Sequence, residues 1–180
     1  AQRPSLGEDA ALLAIARGDE PWLAAEAFAA LARRGSASAR ELAAQWIGDG
    51  ELWRRRAAAA TAPLLPAEAA AAIERRAAGD PEPAVRLAWL EALDGGSAAS
   101  RSEALRALLG RDGDAAVRAR AVELLQSAGA LRDPEAALEL YRSWKGDAMA
   151  DARGAALVAA LALSPEAQRQ AVVELAAADP

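Results

Sequence analysis

Residues 80–93 read Asp-Pro-Glu-Pro-Ala-Val-Arg-Leu-Ala-Trp-Leu-Glu-Ala-Leu. Residues 112–125 read Asp-Gly-Asp-Ala-Ala-Val-Arg-Ala-Arg-Ala-Val-Glu-Leu-Leu. Both begin with Asp, place Val-Arg five and six residues later, and end in Leu. On a helical wheel Val85, Ala88, Trp89, Ala92 and Leu93 share one face, and Val117, Ala121, Leu124 and Leu125 repeat it. Each stretch therefore reads as an amphipathic helix entered through a turn.

Working outward from these two, the leading Asp recurs at Asp19, Asp49, Asp80, Asp112 and Asp147, at intervals of 30, 31, 32 and 35 residues. Such intervals are those of helical repeats. Four of the five units keep Arg six residues after the Asp: Asp49 with Arg55, Asp80 with Arg86, Asp112 with Arg118 and Asp147 with Arg153. In the first unit Ala25 takes that place. Gly, Pro and Asp-Gly punctuation, including Gly18-Asp19, Gly35-Ser36, Gly48-Asp49-Gly50, Gly79-Asp80-Pro81 and Gly95-Gly96, cuts the chain into about eleven segments of helix length. Ser38-x-x-Glu41 and Ser100-x-x-Glu103 read as capping boxes, and Asp133-Pro134 and Ser164-Pro165 as helix starts. The expectation is an all-α chain whose paired helices form one array over residues 1–180.

The composition agrees. Ala makes up close to a third of the 180 residues while aromatic residues are 4%, so helices must pack by close approach rather than around large side chains. Arg outnumbers Lys, which occurs only as Lys145, so base composition contributes to the Ala and Arg excess and the argument rests on spacing. With no Cys and no His, thiol and imidazole catalysis and the usual zinc sites are excluded. No glycine-rich phosphate loop, nucleophile elbow or metal motif occurs. No cofactor, membrane span or small-molecule substrate is expected. The net charge of -5 argues against nucleic acid as a partner, because the counterion-release contribution needs clustered cations. The chain opens at Ala1 without Met, which reads as a processed product or a piece of a longer protein. The cytoplasm is preferred to an exported location.

The Asp, the Val-Arg step and the small and aliphatic residues that follow resemble the second helix of HEAT repeats, in particular the phycobilisome-lyase-like HEAT repeats of bacteria. The likeness is strongest at residues 80–93 and 112–125, fair at 147–161, and weakest after Asp49, where Arg54 stands in the Val position. It implies a right-handed α-solenoid of about five helix-turn-helix repeats whose second helices line a concave face. It implies further a non-catalytic module that binds or scaffolds a protein partner. The alternatives are a DNA alkylation-repair glycosylase built from HEAT-like repeats, and an accessory region of a larger enzyme.

Three groups of residues follow as candidates. The Asp-Arg pairs (Asp49, Arg55, Asp80, Arg86, Asp112, Arg118, Asp147, Arg153) read as a structural ladder, since catalysis needs one constellation and not four copies. In that reading each Asp takes backbone N–H groups at a helix entrance and each Arg reaches a carboxylate or turn carbonyl of a neighbouring repeat. Trp22 and Trp53, near helix ends, are candidate anchors for a partner. The run Arg54-Arg55-Arg56 offers Arg54 and Arg56 as donors, with a solvated charged face as the plainer account. Glu91 and Glu123 occupy equivalent turns, turned away from the core stripe, and complete the candidate partner-binding set.

Overall fold

The computed structural model describes residues 6–129 together with Glu166, Arg169, Gln170, Val173 and Ala177. The Asp147–Arg153 pair and the helix starts at Asp133 and Ser164 lie outside the described residues. Among those described, the elements are α1 (Leu6–Ala16), α2 (Pro21–Arg33), α3 (Ala37–Trp46), α4 (Leu52–Thr61), a 3-10 turn (Ala62–Leu64), α5 (Ala67–Ala78), α6 (Pro83–Ala92), α7 (Gly95–Ser100), α8 (Ser102–Arg111) and α9 (Ala115–Ser127). All are helical, and none is long and apolar enough to cross a membrane. Helices begin close behind Asp19, Asp49, Asp80 and Asp112, as the repeat spacing requires.

The chain divides into two compact units, Ala1–Ala92 and Leu93–Pro180. In the first, consecutive helices pair as α1 with α2, α3 with α4, and α5 with α6. The second members also touch in sequence, α2 with α4 and α4 with α6, and the first members α3 and α5 do likewise. The core between these layers is thin and mostly Ala, with Phe28, Leu31, Trp46, Ile73, Val85, Trp89 and Leu90 as its large members. Nine residues after the leading Asp stand Phe28, Ala58 and Trp89, all buried. The small residue on the middle helix lets its neighbours bring large ones. In the second unit α7, α8 and α9 pack on one another around Leu105, Val117, Val122 and Leu125.

The turn after α2 explains why the first proposed capping box does not form. Gly35 has φ +68°, its N–H donates to the Ala32 carbonyl, and the Ser36 N–H donates back to Leu31. This left-handed closure needs glycine, because a Cβ at positive φ meets its own carbonyl. Its last residue, Ser36, is already the entrance to α3, so the helix starts two residues before Ser38 could cap it. Gly129 (φ +67°) ends α9 in the same conformation.

Two more expectations need correction in the second unit. Gly95-Gly96, read as a break, instead opens α7, because Asp94 Oδ1 accepts from the Ser97 N–H at 2.7 Å while the Asp94 N–H donates to Ser97 Oγ at 2.9 Å. That reciprocal pair satisfies two otherwise orphaned donors and outweighs the poor helix propensity of two glycines. Ser100 therefore ends α7 rather than capping α8, which begins after Arg101.

Candidate functional site

Asp49, Asp80 and Asp112 each lie three residues before the second helix of their repeat, not at its cap, and Asp19 lies two before α2. Asp49 Oδ1 accepts from the Glu51 N–H (2.8 Å), Asp80 Oδ1 from the Glu82 N–H (2.9 Å) and Asp112 Oδ1 from the Asp114 N–H (3.0 Å). The carboxylate thus folds the chain two residues ahead, a local turn that short acidic side chains make readily. The Arg six residues on then donates to the backbone carbonyl of its own Asp: Arg55 to Asp49 at 3.0 Å, Arg86 to Asp80 at 2.6 Å, and Arg118 to Asp112 at 2.8 Å. The six-residue interval is the reach of a long side chain folded back over the first turn and a half of helix.

The other carboxylate oxygen of Asp80 joins two repeats. Arg55 Nε donates to Asp80 Oδ2 at 2.9 Å, with the two side chains 15% and 6% exposed. One guanidinium therefore braces its own turn and grips the next. Asp49 has no such Arg behind it, since Ala25 holds the equivalent place, and its Oδ2 takes Arg54 Nη1 of its own unit instead, at 3.0 Å. This gives Arg54 a partner at the place where the Asp80 and Asp112 repeats carry Val85 and Val117. Asp19, at the first turn, is exposed and takes no hydrogen bond among the described residues.

The Glu51 N–H and then Arg54 hold the Asp49 carboxyl below its ordinary value near 3.8. A depressed folded value contributes stability that is complete above the unfolded value and lost as pH falls through the folded one. Asp49→Asn keeps the turn acceptor and loses the charge. Its destabilisation relative to wild type is expected to be full near neutrality and to shrink as the pH drops below about 4. Urea unfolding of both proteins across that range measures it, and a pH-independent difference refutes it.

Three successive arginines point three ways, because each helical residue turns about 100°. Arg54 pairs with Asp49 and lies over the Trp53 ring, 5.1 Å from its centroid. Arg55 is in the ladder. Arg56 alone faces an open groove across α2, α4 and α6. The run is thus no basic patch, and Arg54 does not line the groove. Glu123, in the second unit, is ion-paired with Arg120 at 2.9 Å.

The groove, about 600 Å³, brings together four of the six candidate partner-binding residues: Trp22 from α2, Trp53 and Arg56 from α4, and Glu91 from α6. Its floor is alanine, with Ala25, Ala57, Ala60, Ala88 and Ala92 among its walls. Trp22 follows Pro21 at the start of α2 and is 72% exposed. Trp53 is held from beneath, for the ring of buried Trp46 meets it edge-on at 5.3 Å and Phe28 lies 4.8 Å from Trp46. An aromatic chain across α2, α3 and α4 therefore fixes one wall of the groove. Arg56 and Glu91 make no hydrogen bond or ion pair among the described residues, so both heads are open to a ligand. Sequence reasoning missed the alanines, whose role is to be small. Among the described residues, no three acidic side chains converge as a metal site would require. No protein-family model matches the chain, and no curated protein shows significant similarity to it.

Proposed function

We propose that this chain is a non-catalytic binding module that holds a segment of a protein partner in the groove over α2, α4 and α6. On this proposal the hairpins form a right-handed α-solenoid of about five HEAT-like repeats, and the groove belongs to its concave face. The sequential contacts of α2, α4 and α6 support that arrangement, because stacked repeats touch only their neighbours. The observation that carries the binding role is Trp22, 72% exposed beside Trp53, Arg56 and Glu91. A large ring left in water at the mouth of a groove is unfavourable for an isolated chain and is what an interface anchor looks like before its partner arrives.

Selection of a random peptide library on the full chain tests this. Selected peptides should bind Trp22→Ala about thirtyfold more weakly, the loss expected of an anchor side chain, with the fold intact because Trp22 packs against little. Substitution of exposed Arg40 on α3 should change nothing. Failure to select any peptide, or peptides indifferent to Trp22, refutes the role.

A further inference from the structure

The groove is nearly neutral in a chain of net charge -5, and its two charges are separated in space. Arg56 stands on the middle helix and Glu91 on α6, each lining the groove and neither bonded to the other. Nearby arginines are engaged: Arg54 with Asp49, and Arg55 with Asp80. Arg56 is the member of its run left for something else. Along the groove the order is an aromatic end at Trp22, then Trp53 with Arg56, then Glu91.

Neighbouring helices pack about 10 Å apart, so passing from α2 to α6 covers about 20 Å. An extended chain advances about 3.3 Å per residue and makes that crossing in about seven residues, with about three between successive helices. The alanine floor suits an extended backbone, which can approach where no side chain exceeds a methyl group.

Resting on the peptide-binding reading above, we infer that the groove selects an extended segment of about seven residues carrying an apolar or proline side chain, a carboxylate and a cation in that order. The apolar group meets Trp22 and Trp53, the carboxylate takes the forked donors of Arg56, and the cation meets Glu91. The carboxylate and the cation are about three residues apart. A segment with the two charges exchanged places like against like at both positions and is rejected.

The test is to repeat the peptide selection on full-length Arg56→Glu and Glu91→Lys. Both positions are exposed, and equal urea midpoints establish that the variants fold; Arg56→Gln and Glu91→Gln serve if a reversal does not. Wild type should return peptides with an acidic and a basic residue about three apart. Arg56→Glu should return a base in place of the acid and bind the wild-type peptides at least tenfold more weakly, and Glu91→Lys should do the reverse at the other position. A consensus unmoved by both reversals, with Trp22→Ala still weakening binding, overturns the charge order and leaves the groove a peptide site. No selectable peptide overturns both readings. Trp22-dependent binding to a glycan array in place of peptides also overturns both.

Discussion

Asp80→Ala should lower the unfolding free energy of the chain by about 3 kcal/mol, a large loss for a single turn residue, because the Asp80 carboxylate is buried. The change removes the acceptor that folds the turn into α6 and strips Arg55 of its carboxylate while that guanidinium stays mostly covered. Arg55→Ala should cost less, about 2 kcal/mol, because Asp80 keeps the Glu82 N–H. The double mutant should cost about 1–2 kcal/mol less than the sum, that difference being the coupling between two repeats. Asp80→Asn should fall between wild type and Asp80→Ala, since its amide oxygen still accepts from Glu82. Urea unfolding of the four proteins closes the cycle. Strict additivity would mean that the pair is two independent local braces and that the repeats are joined by apolar packing alone.

The second large effect lies at Trp89, which is 1% exposed and whose indole N–H finds no acceptor among the described residues. Trp89→Ala should destabilise by about 3–5 kcal/mol, because an alanine-rich layer has few long side chains able to move into the vacated volume. Trp89→Phe should cost no more than about 1.5 kcal/mol. Phe leaves a smaller void, and it also removes a buried unpaired donor, a gain that offsets part of the lost area. The ratio of the two losses is the informative quantity. If Trp89→Phe costs nearly as much as Trp89→Ala, the indole N–H is satisfied in solution and the site is more polar than its neighbours imply.

Much of the candidate site could be read from residue order, though not as a site. Trp22, Trp53, Arg56 and Glu91 each stand out in the sequence for a local reason: a helix end, a dense charge run, a face turned from the core stripe. Their convergence is not visible there, since the first and last lie 69 positions apart (91 − 22) and they meet only because α2, α4 and α6 lie side by side. Arg54 and Glu123 stand out on the same grounds. They are taken up by Asp49 and Arg120, partners that sequence distance alone does not reveal among many equally near charges. The misplaced starts at Ser38 and Ser100 have a related cause. A capping pattern of four residues is weak when the preceding turn, as at Gly35, or a competing cap, as at Asp94, already decides where the chain enters the helix.

The sequence by itself determined whatever is settled within about six residues along the chain: the helices, from apolar period and Ala content, and the Asp-to-Arg turn, whose hydrogen bonds close inside one repeat. Those interactions depend on backbone geometry that neighbouring residues share, so spacing encodes them. Only the tertiary structure decided which carboxylate Arg55 grips in the next repeat, which of three adjacent arginines is left facing the groove, and that an exposed Trp22 stands over a floor of alanines. Each of those depends on how far apart two helices settle and how they are rotated. That is fixed by the summed packing of many small side chains, none of which carries the answer alone.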